Sequence, residues 1–213
     1  MRIRYAVLLA LFWLQASAEE PLVGLTLIRG QLEMYNTSGR DVTFFSSIVT
    51  DESMRDVPVR IEFLPTYGHS RYLIDFVPHD PPMTLNAGER YVFRLPQGSY
   101  SHARLKTLIF GDRSWWGNPE EAKMVFQSRA AKSEQYAVLL DAVKDARAAR
   151  NVAERYAELI QIHKSGFVAL RLADYQAAEN GYGGHLTEMM LRMDTAYKGI
   201  FAEHSVPGLE IRK

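Results

Sequence analysis

The stretch Trp115-Trp116-Gly117-Asn118-Pro119-Glu120-Glu121 marks a sharp change in the character of the sequence. Residues 22–116 are rich in β-branched and aromatic side chains, and turn-forming residues interrupt them at roughly ten-residue intervals. Residues 118–213 are rich in Ala, Glu, Lys, Arg, Leu and Met, with long runs free of Gly and Pro. These patterns predict an α+β fold in which a β half, residues 19–117, is followed by an α half, residues 118–213.

The β half contains short segments in which apolar and polar residues alternate, as in strands buried on one face. In residues 57–64 an apolar side chain recurs at every second position, and Pro58 suggests a sheet edge because proline cannot donate a ladder hydrogen bond. The adjacent Phe44 and Phe45 are expected to face opposite sides of their strand. Short strands at this spacing predict an antiparallel, immunoglobulin-like β-sandwich. They are predicted over residues 22–28, 31–35, 42–49, 57–64, 71–77, 91–95 and 104–110.

The α half opens with a helix-start signal. Asn118 can cap the helix, Pro119 suits its first position, and the acidic Glu120 and Glu121 complement its dipole. This first helix is predicted to reach about residue 150, with a new start at Ser133 as an alternative. A second helix is predicted from residue 152, and Ser165-Gly166 leaves its end open. The sequence thus predicts a bundle of three or four helices.

The last helix, predicted over residues 186–204, shows the strongest apolar periodicity in the chain. The methionines Met189, Met190 and Met193 belong to this stripe and are predicted to lie in the bundle core rather than in a metal or cofactor site. His163 is likewise predicted to be a hydrogen-bonded core or interface residue. The other members of the stripe are Leu186, Tyr197, Ile200 and Phe201.

The adjacent tryptophans Trp115 and Trp116 lie at the predicted junction of the two halves, and on an extended chain they point in opposite directions. They can anchor the helices on the sandwich, or offer a stacking surface for a sugar or a hot spot for a protein partner. Arg113 and Arg94 are the other predicted binding residues. Two interpretations remain open for a set of four arginines: they form a basic strip near the tryptophans, or they belong to an ordinary solvated strand face. The four are Arg90, Arg94, Arg104 and Arg113.

The start of the chain has the features of an export signal. Met1-Arg2-Ile3-Arg4 is positively charged, and residues 5–14 form an unbroken apolar run. Small residues at Ala16 and Ala18 fit the pattern that signal peptidase cleaves. A membrane span needs about 20 apolar residues, so this run is too short for an anchor. Residues 1–18 are therefore predicted to be a cleavable signal peptide, which places the mature protein in the periplasm or outside the cell.

The charge balance and the absence of cysteine restrict the function further. Removing Arg2 and Arg4 from the 25 basic residues leaves 23 against 25 acidic residues, a mature net charge of −2. That balance argues against nucleic-acid binding, which normally needs a basic excess, and against electrostatic capture by membranes. Without cysteine, the exported chain depends on core burial, and this suits a bacterial periplasm better than a eukaryotic extracellular space.

No recognisable catalytic motif occurs in the sequence. A G-x-S-x-G nucleophile elbow, a phosphate-binding P-loop and an H-E-x-x-H zinc motif are all missing, and no cysteine is available to bind zinc. His185 and Glu188 could share a helix face, and Asp75, His79 and Asp80 could meet, but such pairs also arise by chance. We therefore predict no catalytic residue, no metal and no cofactor.

Residues 76–95 carry a family resemblance. A proline-rich step at Pro78 and Pro81-Pro82, an apolar Leu85, a turn at Gly88-Glu89 and a strand over residues 91–95 follow one another. This order resembles the N-terminal domain of PapD-like periplasmic pilus chaperones, and Met34-Tyr35-Asn36 is similar to an early strand end of that family. The resemblance implies a periplasmic module that binds other proteins. Helices replace the family's second sandwich, and no site residue is carried over.

Taken together, these features predict an exported, non-enzymatic protein that binds another envelope or secreted protein during assembly of the envelope or of surface structures. Two alternatives stay open: a periplasmic hydrolase with its site at the junction of the halves, and a glycan-binding module that uses Trp115 or Trp116. No nucleic acid and no stable membrane insertion after signal cleavage are expected.

Overall fold

A computed structural model gives the architecture of residues 22–64, 84–95, 98–181 and 184–211. Within these residues the fold is α+β, with two packed antiparallel sheets followed by four helices. The predicted signal peptide and the strand predicted over residues 71–77 lie outside the described residues, as do residues 76–83 of the segment that resembles pilus chaperones.

The strands form one three-stranded and one four-stranded sheet within the described residues. In chain order they are β1 (Val23–Ile28), β2 (Gln31–Asn36), β3 (Val42–Asp51), β4 (Asp56–Glu62), β5 (Arg90–Arg94), β6 (Tyr100–Phe110) and β7 (Trp115–Gly117). The first sheet has the order β1-β2-β5 and the second the order β4-β3-β6-β7. Pro58 lies in β4 at a sheet edge, as predicted. The sequence did not predict β7.

The long strand β3 is buried on both faces, which explains its two adjacent phenylalanines. Phe45 packs in the core between the sheets with Leu32, Leu108 and other apolar side chains. Phe44 points to the outer face of the four-stranded sheet and packs against the first helix beside Phe126. The prediction that this pair faces both sides is confirmed. The four-stranded sheet is therefore a middle layer, with the other sheet on one face and a helix on the other.

Four helices follow β7: α1 (Pro119–Ala148), α2 (Val152–His163), α3 (Phe167–Gly181) and α4 (Gly184–Glu203). Asn118 caps α1 by accepting a hydrogen bond from the Glu121 N–H, which confirms the predicted start. Ser133 does not begin a new helix, because α1 runs through it without a break. Its hydroxyl instead donates to the Lys198 carbonyl of α4 at 3.1 Å. Lys164 and Gly166, both with positive φ, separate α2 from α3.

The buried stripe of α4 differs from the predicted one. Met190 is 8% exposed and packs in the helical core, but Met189 is 40% exposed, so its predicted core position was wrong. Met193 is half-buried. The stripe is rotated because polar Thr187 and Asp194 occupy buried positions that an apolar pattern cannot reveal. His163 is half-buried at the end of α2, whose buried side chains are Tyr156 and Leu159.

Candidate functional site

Strand β7 places the two adjacent tryptophans on opposite faces of the four-stranded sheet. Its ladder with β6 sets Trp115 opposite Ile109 and Trp116 opposite Leu108. Trp116 packs against the core between the sheets, whereas Trp115 packs against Ile109 and the first turns of α1. Both side chains are half-buried. The pair thus joins the sheet to the helix, as an anchor should, and leaves part of Trp115 accessible.

A groove opens beside Trp115 between β7, α1 and the segment that follows α4. We call this the junction groove. Its volume is about 360 Å³, which lies at the lower end of the range for ligand pockets. The lining is mainly apolar, with Lys123, Gln127 and Ser205 as its polar members. Among the described residues, the lining consists of Trp115, Pro119, Ala122, Lys123, Phe126, Gln127, Ala130, Ser205 and Pro207.

The wall that α1 contributes is fixed to the sheet by a buried carboxylate. Glu121, in the first turn of α1, is 2% exposed. It accepts hydrogen bonds from the hydroxyls of Ser46 and Thr107, both at 2.7 Å. Arg60 Nε donates to its other oxygen at 2.8 Å, and Lys106 Nζ lies 3.3 Å away. These partners belong to three neighbouring strands, so one side chain fixes the helix start on the middle of the sheet.

The environment of Glu121 keeps it ionised. Burial acts to raise the pKa of its carboxyl, but the hydrogen bonds from Ser46, Thr107, Arg60 and Lys106 outweigh this effect and lower the pKa to about 2. A permanently charged, fully bonded carboxylate in this position is a structural clamp. A group that exchanges protons in catalysis would instead have a pKa nearer to neutrality.

Further along α1, the buried Arg129 holds this helix against the sheet and the end of α4. It is 0% exposed, and its Nη2 donates to Glu62 Oε1 at 2.9 Å and to Thr43 Oγ1 at 3.1 Å. Its Nη1 lies 3.3 Å from the His204 carbonyl oxygen, at the end of α4. Burial and the Arg129 guanidinium both lower the pKa of His204. Arg129 therefore connects two strands, α1 and the end of α4.

Comparison with protein-family models, curated proteins and solved structures finds no match to this chain. What the chain can bind is therefore inferred from the groove itself.

The predicted binding arginines do not gather around the groove. Arg113 lies in the turn before β7, is exposed, and has a φ of +68°. Arg94 ends β5 in the other sheet, opposite Gln31. The proposed basic strip is divided in the same way: Arg90 of β5 pairs with Glu33 at 3.0 Å, and Arg104 of β6 pairs with Asp56 at 3.4 Å.

A buried polar network inside the helical bundle escaped sequence analysis. Arg171 of α3 donates to both carboxylate oxygens of Asp194 on α4, at 3.0 and 3.1 Å. The Tyr175 hydroxyl donates to the same carboxylate at 2.8 Å, and burial together with Asp194 raises the pKa of Tyr175. A spacing of 23 residues between Arg171 and Asp194 carries no helical periodicity, so only the packing of α3 on α4 reveals the pair.

The described residues contain no group of three or more His, Cys, Asp or Glu side chains that could hold a metal ion. Glu188, which the sequence paired with His185, instead binds Arg147 at 2.7 Å. His79 and its acidic neighbours lie outside the described residues. Within the described part of the chain, no helix is long and apolar enough to span a membrane.

Proposed function

We propose that this chain is an exported periplasmic protein without enzymatic activity, which binds another envelope or secreted protein through the junction groove. In this proposal the β half is an immunoglobulin-like sandwich that resembles the first domain of PapD-like chaperones, and the α half completes the binding surface. The role is chaperone-like in a broad sense, in the assembly of the envelope or of surface structures.

The observation that supports this proposal most is the half-exposed Trp115 in an apolar groove. Tryptophan is among the residues that contribute most to protein interfaces when it meets a well-packed, desolvated pocket. Phe126 and Pro119 extend the apolar lining beside it. An apolar side chain of a partner protein would complete this surface, and Lys123 at the rim could pair with a neighbouring acidic group.

The groove is also rigidly supported, which reduces the entropy lost on binding. Glu121 fixes the start of α1 on the sheet, and Arg129 connects α1 to two strands and to the end of α4. The described residues that line the groove include no carboxylate or histidine that could serve as the general base of Ser205, which favours protein binding over hydrolysis.

A site-specific crosslinking experiment tests the proposal in the producing cell. A photo-crosslinking residue at position 127, in the groove, should give a covalent adduct with an exported protein in the periplasmic fraction. The same residue at position 135, an exposed position farther along α1, is the control and should not give this adduct.

Two matched substitutions show whether the groove itself is responsible. Ala130→Trp fills the groove from a lining position, whereas Ala131→Trp adds the same bulk at an exposed neighbouring position outside the lining. The adduct should disappear with the first substitution and persist with the second. An adduct that survives Ala130→Trp would contradict groove binding, and capture of a polysaccharide instead of a protein would support the glycan alternative.

A further inference from the structure

The segment after α4 lies along the edge of β7 that is not paired with β6, and it forms one isolated parallel bridge there. We call residues 205–211 the C-terminal segment. Trp115 N–H donates to the Leu209 carbonyl at 3.1 Å, and Ile211 N–H donates to the Trp115 carbonyl at 2.7 Å. Gly208 N–H donates to the Arg113 carbonyl at 2.9 Å. Trp115 and Glu210 thereby form a parallel bridge, in a sheet whose other ladders are antiparallel.

A peptide that pairs with this edge of β7 needs glycine at the position of Gly208. Its φ is not positive, so glycine is not needed there for backbone conformation. It is needed for space, because a Cβ at this position would lie 2.8 Å from both the carbonyl carbon and the carbonyl oxygen of Arg113, and 3.0 Å from Ser114 N. The edge of β7 thus accepts glycine at this position and excludes larger residues.

The rest of the C-terminal segment is weakly buried. Ile211, three residues after Gly208, packs against the core between the sheets. By contrast, Val206 is 55% exposed and Leu209 is 85% exposed, so these two side chains contribute little to holding the segment. Backbone hydrogen bonds, one glycine and one aliphatic side chain are thus among the contacts that hold the segment. Main-chain bonds of this kind give affinity in strand addition to a sheet edge, and the side-chain positions give selectivity.

We propose that the edge of β7 is a peptide-binding site which the C-terminal segment occupies in the free protein. Its ligand is an extended peptide that has a glycine and, three positions later, an aliphatic residue, and that pairs in parallel with β7. The site is a strand edge and not the junction groove, so it stands even if the groove binds nothing. Because Ser205 and Pro207 line the groove, displacing the segment also opens one groove wall.

The tethered segment competes with any added peptide. A strand on a short linker acts at an effective concentration on the order of millimolar. A free peptide at micromolar concentration therefore cannot displace it from the wild-type protein. Weakening the tethered segment without removing it should uncover the site.

The substitution Gly208→Ala weakens the pairing of the tethered segment with β7, because the added Cβ clashes with Arg113. Gly199→Ala is the matched control, because a Cβ at Gly199 meets no atom within 4 Å. The probe is a fluorescent peptide of residues 205–213, Ser-Val-Pro-Gly-Leu-Glu-Ile-Arg-Lys. We expect it to bind the Gly208→Ala protein at least about tenfold more tightly than the wild type or the Gly199→Ala protein. A probe with valine in place of its glycine should bind none of the three proteins.

Amide hydrogen exchange reports on the site directly. The Trp115 amide should exchange faster in the Gly208→Ala protein than in the wild type, and saturating peptide should restore its protection. If Trp115 stays protected in the variant, or if peptide does not bind once that protection is lost, the proposal is overturned.

The wild-type protein supplies a test that does not depend on the variant folding. The Ile211 amide should exchange through a local opening, faster than the Leu108 amide in the centre of the sheet. Exchange of both amides only through global unfolding would make the C-terminal segment an integral strand and would overturn the proposal.

Discussion

At the scale of single residues, Glu121 makes stability depend on pH. Its carboxyl has a pKa of about 2 in the folded protein, against 4.5 for an unperturbed glutamate. Because the folded-state pKa is the lower one, the unfolded chain binds more protons between these values. The stabilisation is fully present above pH 4.5 and is lost as the pH falls toward 2.

Glu121→Gln should therefore flatten this part of the pH profile. The amide carries no charge and keeps only one acceptor oxygen, so it cannot accept from all the partners of the carboxylate. We therefore expect a loss of about 2 kcal/mol in the free energy of unfolding at neutral pH. Urea unfolding at several pH values measures both effects. Glu120→Gln, in the same helix turn but exposed, should change the free energy by less than about 0.5 kcal/mol. Equal effects of the two substitutions would contradict the role of Glu121 as a clamp.

Asp194 gives a second prediction at this scale. Asp194→Asn should destabilise the protein by about 3–5 kcal/mol, because Arg171 is then left buried with an uncompensated charge. The control is Asp174→Asn, which removes a longer contact to Arg171, of 3.5 Å, from a more exposed carboxylate and should cost about 1 kcal/mol or less. Chemical unfolding measures the free energy of unfolding of both variants. A small effect of Asp194→Asn would show that water or a rearranged neighbour accepts the hydrogen bonds of Arg171.

At the scale of secondary-structure elements, the rotated stripe of α4 separates two neighbouring methionines. Met190→Ala should cost about 2–5 kcal/mol because it opens a cavity in the helical core. Met189→Ala removes the same atoms from an exposed position and should change stability by about 0.5 kcal/mol or less. Thermal unfolding of the two variants compares them directly, and equally large costs at the two positions would restore the core position that the sequence predicted for Met189.

Local chemistry made some elements predictable and left others hidden. The start of α1 could be predicted because its cap, proline and acidic residues lie next to one another. The alternation in residues 57–64 likewise identified an edge strand. Strand β7 could not be predicted, since three residues carry no periodicity and its pairing depends on β6. The stripe of α4 was predicted in part: Met190 and Phe201 are buried and Leu186, Tyr197 and Ile200 pack against the core, as expected. The exposure of Met189 was missed, because the buried Asp194 that shifts the stripe requires Arg171 from another helix.

The candidate site also has features that the sequence could predict and others that it could not. The opposite orientation of Trp115 and Trp116 follows from an extended backbone and could be predicted from their adjacency alone. The grouping of Arg94 with Arg113 could not be tested on the sequence, because Arg94 ends β5 of one sheet, Arg113 lies in the turn before β7 of the other, and only the tertiary fold sets their separation. Glu121 and Arg129 were also missed, since their partners are strand residues distant in sequence.

At the scale of the whole molecule, the β half and the α half share buried contacts. Phe44 and Ile109 of the sheet pack with Ala122, Val125 and Phe126 of α1, and Leu64, just after β4, joins the helical core. We expect the two halves to unfold together in a single transition. Tryptophan fluorescence reports mainly on the junction, and circular dichroism at 222 nm reports mainly on the helices, so the two denaturation curves should coincide. Separate midpoints would show that the shared contacts do not couple the halves.

The position of the C-terminal segment also sets an order of events during biosynthesis. Residues 205–211 are synthesised after every strand of the sheet whose edge they complete. Until they have been made, β7 has an unprotected edge that can pair with another extended polypeptide carrying glycine at the matching position. The protein can close this edge with its own chain only once these residues have left the ribosome and folded back onto β7.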